Sequence, residues 1–452
     1  MFVNRGRVAA WAAVVTGLAL SLAACAPGGG GPAADTSPSS SASTDVASAG
    51  PVTLKLTDFW GSAESDWINK LIKGFETKYP NVTINRTTED WGQLNSTLNL
   101  QLQDANGPDI ATANNGWQSL GTLAKGGLVA NLDKYAQAYD WNTRVPKTIA
   151  AQNKFTTDFK TMGSGSWFAT PMSRTSLIGL YYNADKLQAL GMTPPKTLDE
   201  LETDAAKIKA SGDVAFENGS LDSPTVVLLG AQALLADKAK LNSFIYDDPS
   251  VKASDVAMTQ AITLAKQWAD NGYFPSDHAG LDYQTAVANF VGGKGVFRWE
   301  YTGSLGLNAT QQGHFGYLQL PQQNGGKTVG VGAAPGALVV SAKSAHPEVA
   351  AAFLNYLMSP EAGQAAADLG LVPALAPDVK IPSSSLSLTG ESSGAAKLDA
   401  DDGYVPYFDW SSPKMLDTLT QNMQLVYAGK MTPDAFTAAV DADRNAFLAQ
   451  QG

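Results

Sequence analysis

At 452 residues the chain is too long for a single hydrophobic core and long enough for two. Its formal net charge of −11, carried without any basic block, argues against a nucleic acid as partner. One cysteine in the whole chain excludes an intramolecular disulfide.

Arg5 and Arg7 precede an apolar run over residues 8–20, which ends in Leu22-Ala23-Ala24-Cys25. A charged start, an apolar middle and a small-residue end are the parts of a secretory signal. Residues 8–25 together just reach the roughly 18 residues of a membrane span, but the small residues and the position of the cysteine fit cleavage better. Leu22-Ala23-Ala24-Cys25 resembles a bacterial lipobox. That resemblance implies a signal peptide over 1–24 and a lipidated Cys25 as mature N-terminus, anchored outside the cytoplasm to the cell membrane. Acylation by more than one chain suffices for stable anchoring. Loss of residues 1–24, with two arginines and no acid, takes the net charge to −13. Residues 26–50 are rich in Gly, Ser, Pro, Ala and Thr with almost no large apolar side chain, which predicts a flexible tether over 25–50.

The folded part is expected from about Pro51. Residues 53–57 alternate as a half-buried strand and break at Asp58-Phe59-Trp60-Gly61-Ser62. Trp67, Ile68, Leu71, Ile72, Phe75 and Tyr79 then mark one face of a helix. Residues 82–84 form the next strand, with Glu89-Asp90-Trp91 in the loop beyond. Leu94, Leu98 and Leu102 mark a second helix, Asp109 to Ala113 a third strand, and Asn114-Asn115-Gly116-Trp117 the turn after it. This alternation is the signature of a parallel α/β sheet, whose ligands lie off the carboxyl ends of the strands.

Residues 167–172 and 177–182 read as two extended runs broken by Ser173-Arg174-Thr175-Ser176. The break is either a simple hairpin or a chain leaving one sheet for another. Asn183 starts a short helix, and Thr197 and Glu200 have the spacing of a capping box. Residues 202–290 are mostly helical in pattern, interrupted at 217–224. Strands follow at 296–299 and 315–320. A glycine-rich segment, 330–336, feeds a strand at 337–341. A serine-rich connection, 382–394, leads to Tyr404 and then Trp410, followed by two terminal helices.

His278, His314 and His346 stand far apart with no carboxylate or cysteine at ligand spacing, so a zinc site has little support. Gly326-Lys327-Thr328 would end a P-loop only with glycine at 321, where Pro321 stands. Adjacent acids such as Asp247-Asp248 and Asp401-Asp402 are the usual solvated surface rather than a glycosidase pair. What does stand out is tryptophan, ten in all. Trp67 and Trp268 fall on apolar helix faces and read as core. Trp60, Trp91, Trp117, Trp299 and Trp410 fall at strand ends or in loops, beside Ser62, Glu89, Asn115, Glu300 and Asp409. A sugar needs that mixture, an aromatic face for its C–H surface and polar groups for its hydroxyls.

A series of short motifs carries a wider resemblance. They include Gly107-Pro108-Asp109-Ile110, then Leu180-Tyr181-Tyr182-Asn183-Ala184-Asp185 with Pro195-Lys196-Thr197-Leu198-Asp199-Glu200-Leu201. Further along come Gly293-Lys294-Gly295-Val296 and Val339-Val340-Ser341-Ala342-Lys343. In this order, behind a lipobox, the chain resembles the extracellular solute-binding proteins of ABC transporters, of the carbohydrate family that includes maltose-binding proteins. The resemblance implies a periplasmic-binding-protein-like α/β fold, two α/β lobes joined by hinge crossovers with a ligand cleft between them. It implies a first lobe of 51–173 plus 322–371 and a second of 174–321 plus 372–452, with hinges at 173–176, 315–321 and 370–374. The function implied is a non-enzymatic receptor, without cofactor or metal, that binds a di- or oligosaccharide as a monomer. It would deliver that sugar to the transmembrane subunits of a permease. Expected ligand contacts are Trp60, Gly61, Ser62, Glu89, Asn114, Asn115, Arg174, Thr175, Ser220, Asp222, Trp299, Glu300, Tyr301, Gly332, Ala333, Asp409 and Trp410. Thr175 stands where maltose binders often have a carboxylate, and the aromatic expected after the Gly-Lys-Gly strand is displaced to Trp299 or Tyr301. Both departures leave the sugar open. A polyol or other small solute on the same fold is the alternative, and a lipid-anchored polysaccharide-processing enzyme the more distant one.

Overall fold

A computed structural model describes residues 42–451 except 174, 175, 309, 324, 325, 334, 335 and 376–378, and without the side chains of Ser62 and Ala333. Cys25, Arg174 and Thr175 therefore lie outside the described residues. The strands are β1 (Val52–Asp58), β2 (Val82–Thr88), β3 (Ile110–Ala113), β4 (Lys154–Phe155), β5 (Ser166–Trp167), β6 (Ser176–Asn183), β7 (Phe297–Tyr301), β8 (Phe315–Leu318), β9 (Gly330–Ala333), β10 (Ala337–Val340) and β11 (Tyr404–Val405).

Two sheets organise them. In the first, in the order β10-β3-β1-β2, β2, β1 and β3 run parallel and β10 closes the edge antiparallel. Along β1, buried Val52, Leu54 and Leu56 alternate with exposed Thr53 and Lys55, the period-two pattern of a strand with one covered face. The helix Ser62–Lys78 covers the sheet with buried Trp67, Ile68, Leu71 and Phe75. Phe75 meets Phe353 of the helix Pro347–Leu357 edge-on, with ring centroids 5.2 Å apart. Each such buried side chain stabilises the lobe by roughly 1.5–3 kcal/mol. The second sheet runs β11-β9-β6-β7, with β8 also on β6. All eight residues of β6 are buried, as a central strand requires. These two sheets and their helices are the two lobes of a mixed α/β fold.

The chain passes between the lobes three times. It first leaves the β4–β5 hairpin through Thr170, which exchanges backbone hydrogen bonds with Leu338 of β10 at 3.0 and 3.1 Å, and enters the second sheet at Ser176. The return was expected at 315–321, yet β8 pairs with β6 inside the second sheet. Residues 330–333 still belong there, because β9 pairs with both β6 and β11. The chain is back in the first sheet at Ala337, where β10 begins to pair with β3. Gly332, at φ +125°, lets β9 lie this close to β6: any Cβ there would overlap the Ser176 carbonyl oxygen. The third pass runs beside the first, with Ala374 N donating to Ser173 O at 3.1 Å.

Three further expectations change. The serine-rich connection is mostly the helix Leu386–Asp401, capped by the Ser385 side chain. Its small residues let it lie close on β8, where a Cβ on Gly390 would meet Tyr317 backbone. Trp91 is not a loop residue but starts the helix Trp91–Gln103, with the Asp90 side chain accepting from Gly92 N and Gln93 N. The tether, expected to extend to residue 50, ends earlier: Val46 is buried, and Asn81 Nδ2 donates to Val46 O and Gly50 O at 2.9 and 2.8 Å.

Candidate functional site

The carboxyl ends of β1, β2 and β3 place residues 58–62, 89–91 and 114–117 along one edge of the first lobe. Buried Asp58 fixes the first of these turns. It accepts from Trp60 N at 3.0 Å and takes Arg86 in a two-pronged ion pair at 2.6 and 2.7 Å. Arg86 also donates to Trp60 O. The turn sends the Trp60 side chain inward, fully buried with its ring 6.4 Å from that of Trp67. What the edge presents instead is the half-buried pair Phe59 and Trp91, 4.4 Å apart. Gly61 is the residue before the helix Ser62–Lys78, and Ser62 begins it. Both Glu89 carboxylate oxygens lie 3.0 Å from Gln101 Nε2.

The loop after β3 meets the second lobe. Trp117 N donates to Trp410 O at 2.9 Å, Trp410 Nε1 donates to Asn114 Oδ1 at 3.1 Å, and Asn114 Nδ2 donates to Asp409 Oδ2 at 3.3 Å. Gly116 is required here, because a Cβ would run into the Trp410 side chain. Asn115 Nδ2 donates to Gln152 O at 2.9 Å, and Gln152 Nε2 reaches Gly332 O at 3.4 Å. Beside Trp410 stand the rings of Tyr407, at 5.4 Å, and Tyr301, 6.0 Å beyond Tyr407. Tyr407 OH donates to Ser176 O at 3.0 Å. Burial pushes the Asp409 carboxyl up to about 6, against the Asn114 hydrogen bond that pulls it down. Burial likewise raises the Tyr301 hydroxyl well above the usual phenol range.

Behind this seam lies a buried ion pair. Arg298 and Glu300, two apart on β7 and so on one face of it, pair at 2.6 Å with both side chains almost fully buried. Glu300 Oε2 takes Arg298 Nε and Nη2, while Oε1 takes Tyr283 OH at 3.1 Å and Tyr301 N at 2.8 Å. Tyr283 N in turn donates to Asp222 Oδ1 at 2.9 Å, and buried Ser220 lies with its Oγ 3.2 Å from His278 Nδ1. A continuous path thus runs from Asp222 through Tyr283, Glu300, Tyr301, Tyr407 and Trp410 to Asn114.

The sequence-predicted residues therefore divide. Asn114, Asn115, Gly332, Tyr301, Asp409 and Trp410 come together at the meeting of the lobes. Glu300 is there too, but its oxygens are occupied by Arg298, Tyr283 and Tyr301, so it positions Tyr301 rather than offering an acceptor. Trp60, Trp117 and Trp299, expected to face a cleft, are each buried in packing. Trp299 is stacked 6.1 Å from Trp268 and would overlap any side chain on Gly230. Trp410 is equally buried, at the seam itself. Ser220 and Asp222 stay within the second lobe, stapled to His278 and Tyr283. The backbone of Ala333 ends β9 next to Gly332. Tyr283 and Gln152 were not anticipated, since nothing in their local sequence marks them. Asp247, read as solvated surface, is buried.

Carboxylate, carboxamide and phenol groups beside rings packed tilted and edge-on form a donor and acceptor set suited to hydroxyl-rich molecules. A family model described as bacterial extracellular solute-binding protein matches residues 70–380. The multiple sugar-binding protein of Streptococcus mutans is 24% identical over 307 residues, 66% of this chain and 69% of the relative. The diacetylchitobiose binding protein DasA of Streptomyces coelicolor is 24% identical over 372 residues, 79% and 80% of the two chains. Among solved structures, a chitin oligosaccharide binding protein superposes with a TM-score of 0.73 at 18% identity, covering 88% of this chain and 99% of its own. The last likeness is one of fold.

Proposed function

Since this chain belongs to the bacterial extracellular solute-binding protein family, we propose that it is the receptor of an ABC importer for a carbohydrate, of di- or oligosaccharide size. It binds that sugar between its lobes and hands it unchanged to the permease in the membrane. The observation that carries this reading is the seam where Asn114, Asp409, Tyr301, Tyr407 and Trp410 meet. Asp409 is a buried acceptor held by the Asn114 side chain at 3.3 Å, and hydroxyl donors of a sugar would complete it. Relatives named for multiple sugars and for diacetylchitobiose support the ligand class. Sugar binding then shifts an open–closed equilibrium of the lobes, and the receptor acts as a monomer without cofactor. Cys25, lipidated, holds it at the outer face of the cell membrane.

Calorimetry of residues 26–452 against mono-, di- and trisaccharides tests the proposal. Saturable binding of at least one sugar, recovered intact by chromatography, is the expected result. Hydrolysis at catalytic rates would replace the receptor by an enzyme. Binding of a polyol with no sugar bound would keep the receptor and change its ligand.

A further inference from the structure

A second buried carboxylate lies on the boundary between the lobes. Asp247 follows the helix Lys238–Ile245 of the second lobe in a left-handed turn, φ 72°. Its Oδ2 accepts from two first-lobe donors, Trp117 Nε1 at 2.8 Å and Met162 N at 3.0 Å. Its Oδ1 is buried with no hydrogen-bond partner among the described residues. The surroundings are apolar. Trp117 packs against Phe155 and Phe447, each at 5.0 Å, and Gly163 lies against the Tyr246 ring. One charged side chain faces Asp247 among the described residues, Arg444 of the helix Pro433–Gln451. Its two terminal nitrogens donate to Val251 O at 3.2 Å and Asp248 O at 2.8 Å, its Nε is buried with no hydrogen-bond partner among the described residues, and Asp248 and Asp441 share its field.

We propose that Asp247 makes this contact between the lobes responsive to protons, firm in acid and loosened toward neutral pH. The position of the charge decides the direction. An ionised carboxylate half satisfied in an apolar seam is penalised by lost hydration, and separating the lobes here would return it to water. Protonated, Asp247 keeps a carbonyl oxygen for Trp117 and Met162 and loses that penalty. Burial accordingly raises its carboxyl to about 6, with the Trp117 and Met162 hydrogen bonds and Arg444 opposing. The sign is that of a raised acid: the contact is at full strength below the ordinary value of 3.8 and weakens as pH rises through about 6. Ionisation thus loosens a contact that adjoins the proposed sugar site through Trp117, whose backbone N donates to Trp410 O at 2.9 Å.

Hydrogen exchange of the Met162 amide and the Trp117 indole, followed by NMR from about pH 4.5 to 7.5 without sugar, tests this directly. After correction for intrinsic base catalysis, exchange should accelerate roughly 10- to 100-fold across the titration, the size being set by how far burial lifts the carboxyl above its ordinary range. Asp247→Asn, which cannot ionise, should remove that excess and keep acid-like protection at the upper end of the range. Asp247→Ala should lose protection at both ends. An excess that survives in Asp247→Asn, or a midpoint below about 4.5 in the unaltered protein, would overturn the proposal. Neither result would bear on whether the protein binds a sugar.

Discussion

Asn114 and Asp409 face each other across the boundary between the lobes, Nδ2 to Oδ2 at 3.3 Å. One stands after a strand of the first sheet and the other in the short turn Phe408–Ser411 of the second lobe. The long hydrogen bond leaves a buried acid weakly held, and that imbalance makes opposite predictions for folding and for binding.

For folding, a carboxyl moved by burial from 3.8 to about 6 costs on the order of 3 kcal/mol when ionised. Stability should fall as pH rises from 3.8 through about 6. Asp409→Asn should therefore unfold at higher urea than the parent at about pH 7.5. For binding, the ionised form is the better acceptor of sugar hydroxyls. Affinity should drop about tenfold from pH 7 to pH 5, and Asp409→Asn should bind about 10- to 100-fold more weakly. A variant that is less stable near pH 7.5, or binds sugar as well as the parent, would contradict the assignment.

Trp410 is 1% exposed, so its removal should be felt before any sugar is added. Trp410→Ala should cost about 3–5 kcal/mol of ligand-free stability. Trp410→Phe, which keeps most of the packing and loses the Nε1 bond to Asn114, should cost nearer to about 1 kcal/mol beyond the lost volume. Urea unfolding of both variants separates packing from hydrogen bonding. An unchanged midpoint in Trp410→Ala would mean that the ring is a stacking platform after all.

Glu300 and Arg298 predict a different pattern. Glu300→Ala leaves the Arg298 guanidinium buried with the Glu217 carbonyl as its remaining acceptor among the described residues, and should destabilise by about 3–5 kcal/mol. Arg298→Met with Glu300→Leu, which removes both charges, should recover much of that loss. Thermal melts of the single and double variants check the order.

Cys25→Ser tests the anchor. The parent should partition into the detergent phase on cloud-point separation, and the variant should stay in the aqueous phase or keep its leader. Equal partitioning of the two would remove the lipid from the proposal.

Much of the fold was legible because its signals are local. The 3.6-residue spacing from Trp67 to Phe75 and the alternation along β1 are set by which face each element buries. Asn183 and Thr197 cap their helices as their side chains dictate, accepting from Lys186 N and Glu200 N. The second crossing was misplaced because strand partnership is not local: nothing in Gly330–Ala333 says that its neighbour is β6. The serine-rich helix was missed because its propensity is weak and packing on Tyr317 decides it.

The site was legible by backbone and not by side chain. Strand ends were placed where ligands meet such sheets, but a tryptophan at a strand end can turn either way. Asp58 and Arg86 turn Trp60 inward, and Gly230 leaves the room that Trp299 fills. Asp247 looked like solvated surface because an adjacent acidic pair gives no sign of what packs over it. Its partners, Trp117 at 130 and Met162 at 85 positions earlier, reveal that it is buried.

The docking of Val46 beside Asn81 fixes where the proposed leash pulls. Asn81 precedes β2, and Gly50 precedes β1, so the attachment point sits at the amino ends of strands whose carboxyl ends carry the seam. Seven residues of β1 separate the two ends by about 23 Å. From Cys25 to Ala42 the chain spans at most about 60 Å. If Cys25 carries the proposed lipid, the leash joins the first lobe at the end away from the seam. Under that proposal, the length of the leash would bound the distance a filled receptor can travel to its permease.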